Sequence, residues 1–226
     1  MRRSRAIAGL AALVIVAAVM ASCTNADQER ARQTTKPVYD GTTGKLVELT
    51  YDNNHNGIID TWVKMDGRCP VSAVMDTNED GVIDRWEYYE NCGRLVKVGL
   101  LRAKPDLVSK FSKPDEFDYI GADGKTIERK EYIEVSSVTG IEGVVRREFF
   151  TNGVFTRAEE DTDGDGLMDR WETWVNGKVR TTEFDLGHTG KPGKRFTYDD
   201  KGALVLIETE PDASGHYMKS VVPKKN

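Results

Sequence analysis

A twelve-residue pattern occurs three times in this chain, and the short segment after each copy leaves little room for a helix. Residues 161–172, DTDGDGLMDRWE, are matched position by position by residues 76–87 and more loosely by residues 52–63. Only four residues separate Trp86 from Asn91, and only four separate Trp171 from Asn176-Gly177. An α-helix leaving the pattern would have barely one turn, whereas that length suits a strand. Asn-Gly and Asp-Gly favour tight hairpin turns because both central residues tolerate positive φ. Such punctuation occurs at Asp66-Gly67, Asp123-Gly124, Asn152-Gly153 and Asn176-Gly177, with Lys201-Gly202 in the same role. Between these points residues 94–101, 126–135, 144–150, 179–184, 195–198 and 203–209 are short and rich in β-branched and aromatic types, as strands are. The expected fold is all-β: an antiparallel meander of repeated hairpins, each unit being strand, twelve-residue loop, strand and tight turn. A small β-propeller-like arrangement is the alternative.

The pattern places oxygen-bearing side chains at positions 1, 3, 5, 9 and 12 with glycine at position 6. Hard cations such as Ca²⁺ take six to eight oxygens, and this spacing wraps a short loop around one ion with a backbone carbonyl at position 7. The third loop offers Asp161, Asp163, Asp165, Asp169 and Glu172 with the Leu167 carbonyl. The second offers Asp76, Asn78, Asp80, Asp84 and Glu87 with the Val82 carbonyl. The first offers Asp52, Asn54, Asn56 and Asp60 with the Ile58 carbonyl, and has Val63 where the others have glutamate. Affinity rises with ligand charge, so the third loop ranks strongest and the first weakest. In a strand setting the position-12 glutamates lack the helix that would aim them and are expected to face solvent. The loops resemble EF-hand-type calcium loops, and their strand-loop-strand use is similar to the calcium hairpins of integrin-type propeller repeats. That resemblance spans roughly 12 residues at each place and implies Ca²⁺ as the cofactor, held structurally rather than as a signal.

The first two loops begin 24 residues apart, and the same step from Asp161 lands on Asp185, which opens a decayed copy at residues 185–190. Further decayed copies are expected at residues 211–215 and between Arg102 and Pro114. Trp62, Trp86 and Trp171 hold one position in the unit, so they are expected on one sheet face as a core row. Residues 126–135 and 144–149 carry charge on both faces, and the chain is only 38% apolar, which predicts a thin or curled sheet with ion pairs facing water.

If Asp76 faces Arg85 across the second loop, the same register sets Cys69 opposite Cys92, close enough for a disulfide. Such a bond persists in exported proteins. The amino terminus reads as exported: Arg2, Arg3 and Arg5 precede an apolar run over residues 6–20 that is too short to span a membrane. Met20-Ala21-Ser22-Cys23 resembles the lipobox of bacterial lipoproteins, with Met in place of the usual Leu. The resemblance implies cleavage after Ser22, lipidation of Cys23 and, since Thr24 is not aspartate, the outer membrane. The expected parts are a signal peptide (1–22), a lipidated cysteine with a polar tether (23–37) and a β-repeat domain (38–226). Cleavage removes three arginines and no acid, taking the formal charge from −5 to −8, which excludes nucleic acid as a partner.

The expected function is a calcium-binding, lipid-anchored envelope protein with a structural or interaction role and an envelope protein or glycan as partner. There is no G-x-S-x-G elbow and no H-E-x-x-H, so an enzyme is not expected and an envelope hydrolase is the weaker alternative. His55 and His188 fall at loop position 4, which points outward. A carbohydrate-binding module using Trp174, Tyr88 and Tyr89 is the other alternative.

Overall fold

The computed structural model describes residues 34–102 and 113–223. Their strands begin with β1 (Thr35–Tyr39), β2 (Leu46–Tyr51), β3 (Thr61–Asp66), β4 (Cys69–Met75) and β5 (Arg85–Glu90). The middle comprises β6 (Arg94–Leu100), β7 (Glu116–Ile120), β8 (Ile127–Val135), β9 (Glu142–Thr151) and β10 (Val154–Glu160). The chain ends with β11 (Arg170–Val175), β12 (Lys178–Phe184), β13 (Lys194–Tyr198), β14 (Leu204–Pro211) and β15 (Tyr217–Val221). All fifteen lie in one sheet in sequence order, each antiparallel to its neighbours, so the all-β meander stands. The propeller alternative does not, because the hydrogen bonding runs unbroken from β1 to β15 instead of dividing into blades. The signal peptide, Cys23 and most of the tether lie outside the described residues. The sheet starts earlier than residue 38, since Thr35, Lys36 and Pro37 pair with Tyr51, Thr50 and Leu49.

Every substantial strand–strand contact joins sequence neighbours, so this is a single layer with no second sheet packed on it among the described residues. Its two faces can be followed from strand to strand, because directly opposed residues in an antiparallel ladder share a face. One row runs Trp62, Val74, Trp86, Gly99, Phe117, Glu131, Arg147, Glu159 and Trp171. The row on the opposite face runs Val63, Ala73, Glu87, Val98, Asp118, Lys130, Glu148, Ala158, Glu172 and Thr182. Burial falls on the second, with Ala73 and Ala158 each 1% exposed, and we call this face the inner one. The tryptophans therefore share a face as expected but do not form the core. Each is half-buried on the outer face, and five other residues stand between Trp86 and Trp171. The core is a small inner cluster of Val63, Ala73, Met75 and Tyr89, flanked by Leu49, Tyr51, Met65 and Leu95.

A β-bulge interrupts the ladder in every hairpin closed by a tight turn, for instance between Lys64 and Met65 and between Tyr88 and Tyr89. Bulges bend a strand and raise its twist, which curls a sheet that nothing else clamps. The turns use the expected chemistry: Asn152-Gly153 and Asn176-Gly177 have positive φ at both residues. The β4–β5 ladder corrects the register behind the disulfide. Met75, not Asp76, faces Arg85, and the ladder runs only to Ser72 and Tyr88. Cys69 pairs with Asp66 of β3, while Cys92 sits in the β5–β6 turn with φ 63°. The Cys69–Cys92 disulfide nevertheless forms, with the Cα atoms 4.3 Å apart, joining the start of β4 to the β5–β6 turn.

Ion pairs lie on both faces, which departs from the expectation that all would face water. On the inner face Glu116 is 0% exposed, paired with Arg102 and with Lys130 at 2.8 Å, and Lys130 also reaches Asp118 at 2.8 Å. On the outer face Arg147 bridges Glu131 at 3.4 Å and Glu159 at 3.5 Å.

Candidate metal centre

The meander sends every odd-numbered connection to one end of the sheet and every even-numbered one to the other. Tight turns occupy the first end. The second carries residues 52–60, 76–84 and 161–169, the three intact loops, at the β2–β3, β4–β5 and β10–β11 tips. Adjacent loops are stitched through their backbones: the Asp76 N–H donates to the Asp60 carbonyl at 2.9 Å, and the Asp185 N–H to the Asp169 carbonyl at 2.8 Å.

The three loops share one hydrogen-bond frame. The position-1 carboxylate accepts from the position-6 glycine N–H: Asp52 from Gly57 at 2.6 Å, Asp76 from Gly81 at 2.8 Å and Asp161 from Gly166 at 2.9 Å. Gly57, Gly81 and Gly166 all have positive φ, between 89° and 94°, a conformation in which a side chain would be strained. Position 3 accepts from the N–H of position 5, as Asn54, Asn78 and Asp163 do at 3.1, 3.0 and 3.2 Å. Position 5 accepts from position 7, whose N–H belongs to Ile58, Val82 and Leu167. Position 9 closes the frame: Asp60, Asp84 and Asp169 accept from the N–H groups of Asn53, Thr77 and Thr162 at 2.9, 3.1 and 3.0 Å. The same four positions thus fold each loop around its own backbone N–H groups.

Electrostatics single out two features. In the third loop, Asp161, Asp163 and Asp169 each offer an oxygen within 4.8 Å of the others, a concentration of like charge that a divalent cation would relieve. In the second, Asp76 is 8% exposed, and its Oδ1 has no hydrogen-bond partner among the described residues while its Oδ2 is held by Gly81. A buried carboxylate oxygen left unpaired is costly, and a cation is one remedy. At Asp52 burial acts to raise the pKa, but the N–H groups of Gly57, Asn56 and His55 outweigh it and hold the carboxyl below its ordinary value.

The position-12 glutamates are not brought to the loops. Glu87 and Glu172 belong to the inner row, 7% and 6% exposed, so they do not face solvent either. Glu87 is bound by Arg85 at 2.7 Å and by the Tyr89 hydroxyl, and Glu172 by Arg170 and the Trp174 indole N–H at 3.1 Å. The strand's two-residue period turns position 12 inward, two places beyond the strand-initial Arg85 or Arg170. The decayed copy at Asp185 keeps position 1: its carboxylate accepts from Gly187 at 2.9 Å and Gly190 at 2.5 Å, but the copy has no further acid. Residues 212–216 form instead a short turn on Asp212, which accepts from Ser214 and His216. The copy expected between Arg102 and Pro114 lies largely outside the described residues, although the Arg102 N–H donates to Asp115 at 2.7 Å.

Two contacting residues were not foreseen. His188, expected simply to point outward, is exposed but sets Nδ1 2.9 Å from Asp163 and 3.6 Å from Asp165. Glu79 accepts from the side-chain amides of Asn54 and Asn56. Both occupy position 4 of the following loop, 25 and 23 residues beyond the positions they touch, so the 24-residue phase held the signal. The aromatic trio considered for glycan binding is dispersed. Tyr89 is in the core, Trp174 stacks on Phe155 at 5.2 Å on the inner face, and Tyr88 lies on the outer face near Lys97.

No protein-family model matches the chain, and no curated protein does. Among solved structures, S. aureus TarM in complex with fondaparinux, α-GlcNAc-glycerol and UDP aligns at 10% identity with a TM-score of 0.27, over 68% of this chain and 22% of that one. A second TarM structure aligns at 10% identity and a TM-score of 0.24, over 67% of this chain and again 22% of that one. A protein of unknown function from Bacteroides fragilis aligns at 10% identity and a TM-score of 0.15, over 84% of this chain and 91% of that one. The chain thus spans about a fifth of the TarM chains, and at these scores the likeness carries no functional inference.

Proposed function

We propose that this is a lipid-anchored, calcium-binding protein of the bacterial envelope, non-enzymatic, in which Ca²⁺ holds the loop end of the sheet in register. The observation that carries the calcium reading is the convergence of Asp161, Asp163 and Asp169 within 4.8 Å, in a frame repeated by the first and second loops. The orphaned Asp76 oxygen supports it independently. The ligands are Asp161, Asp163, Asp165, Asp169 and the Leu167 carbonyl; Asp76, Asn78, Asp80, Asp84 and the Val82 carbonyl; and Asp52, Asn54, Asn56, Asp60 and the Ile58 carbonyl. Glu87 and Glu172 drop out of the ligand set. Each site pins two strands, which matters in a layer where no second sheet fixes register. The anchor rests on Met20-Ala21-Ser22-Cys23 behind the basic and apolar leader, and the outer membrane on Thr24.

The test is thermal unfolding of the chain from residue 24 onward, in excess Ca²⁺ and in chelator. Ligand at about a hundredfold over Kd stabilises by about 2.7 kcal/mol per site. At this chain length that raises Tm by about 5–10 °C. Asp165→Ala should remove part of the shift. Identical melting in calcium and chelator would sink the calcium reading, and metabolic labelling with a fatty-acid probe that fails to mark Cys23 would sink the anchor.

A further inference from the structure

The contacts made by Glu79 and His188 form a pattern. In the first loop, Asn54 and Asn56 turn Oδ1 inward, where they accept from Asn56 N–H at 3.1 Å and Ile58 N–H at 2.8 Å. Their Nδ2 groups turn outward, and Glu79 takes both, one on each carboxylate oxygen. An amide flipped end for end would set its oxygen against that carboxylate, so Glu79 fixes which atom faces the hollow. In the third loop Asp163 Oδ1 likewise accepts from Asp165 N–H at 3.2 Å, while its Oδ2 faces His188 at 2.9 Å. Position 4 of the following loop therefore holds the outer side of positions 3 and 5, with a carboxylate against amides in one case and an imidazole against carboxylates in the other.

Glu79 is itself a loop residue. It lies between Asn78 and Asp80, two ligands of the second loop, and has φ 59°, a left-handed conformation that a side-chain-bearing residue adopts at a cost. His55 and His188 share this conformation at position 4, with φ 64° and 51°, so it goes with the wrap of the loop. Groups that orient metal ligands from outside typically contribute about 10–100-fold to affinity.

We infer that the first and second loops are coupled cation sites: Ca²⁺ in the second loop fixes Glu79, and Glu79 preorganises Asn54 and Asn56 to bind Ca²⁺ in the first. This inference rests on the calcium reading above. It makes Glu79 a positioning residue and gives the charge-poor first loop an outer carboxylate in addition to its own Asp52 and Asp60.

The experiment tracks the Gly57 and Gly81 amides by NMR while Ca²⁺ alone is titrated into the chain from residue 24 onward. Both should respond in the unsubstituted protein. Glu79→Ala should weaken the Gly57 response about tenfold and leave the Gly81 midpoint in place, with Glu79→Gln between the two. Melting in chelator should be the same for both variants as for the parent, which separates positioning from a general structural role. Asp80→Ala, which removes a second-loop ligand and keeps Glu79, should weaken both responses. A Gly57 midpoint unmoved by Glu79→Ala or by Asp80→Ala overturns the coupling and leaves the calcium reading standing. Silence at both amides in the parent protein overturns the two together.

Discussion

The inner face is filled in two ways along one uninterrupted meander. From β2 to β6 it is mainly apolar, with Val63, Ala73, Met75 and Tyr89 closed in by Leu49, Tyr51, Met65 and Leu95 around the Arg85–Glu87 pair, and the Cys69–Cys92 disulfide ties β4 to the next turn. From β7 to β11 the same rows are ionic. Glu116 lies between Arg102 and Lys130, Arg146 bridges Glu148 at 2.9 Å and Glu160 at 3.3 Å, and Arg170 joins Glu160 to Glu172. A small aromatic group of Phe150, Phe155 and Trp174 is the main apolar packing there. One backbone pattern accepts both fillings because the backbone contacts of each strand are with its sequence neighbours, so the chemistry of the face can change from one pair of strands to the next.

The largest expected effect tests whether the ionic stretch is a buried one. Lys130→Met removes the cation that Glu116 and Asp118, both buried, share, and leaves Arg102 to pair with Glu116. Breaking a buried pair in this way costs about 3–5 kcal/mol, measurable as a lower urea midpoint. A loss under about 1 kcal/mol would mean that these pairs behave like surface ones and would erase the contrast. Next comes the apolar stretch. Cys69→Ser with Cys92→Ser should cost about 2–4 kcal/mol. Amide protection should fall in β4–β6 and persist in β8–β11; a loss throughout would show that the two stretches unfold as one.

The smallest effect compares two turns at the same end of the sheet. The β7–β8 turn is held by Asp123, whose carboxylate accepts from the Thr126 hydroxyl and from the Thr126 and Lys125 N–H groups, bringing its pKa down to about 2 from 3.8. A carboxyl depressed on folding contributes stability above its unfolded pKa and loses it as pH falls through the folded value. The protection of the Thr126 amide, relative to its intrinsic exchange rate, should therefore fall between about pH 4 and 2. The β5–β6 turn, closed by the disulfide, should stay protected over that range.

Much of this was legible in the sequence. Strand limits read from turn residues and β-branched runs fall within a residue or two of β6, β8 and β12, and the disulfide pair was named correctly from a register off by one. The slip was unreadable because the residue types around the second loop do not say whether Met75 or Asp76 faces Arg85. Which face is buried was also hidden. Tryptophan is the largest apolar side chain and invites assignment to a core, yet in a single layer burial depends on which side curls inward, and Ala73 and Ala158 are covered by longer neighbours. The inward turn of Glu87 and Glu172 is a consequence of strand periodicity, whereas the Arg85 and Arg170 partners become obvious only when the rows are laid side by side.

A closed barrel fixes how many strands it holds, because the last must meet the first. Here, among the described residues, β1 and β15 each keep one side unpaired, and no such condition applies. At about 4.8 Å per strand the fifteen cover about 67 Å. Adding or losing one strand-loop-strand-turn unit at an edge would lengthen or shorten that span by about 10 Å and leave the contacts of distant strands as they were. The reach of the sheet is therefore a quantity that duplication or deletion of DNA can adjust in even steps, with no refitting of a core.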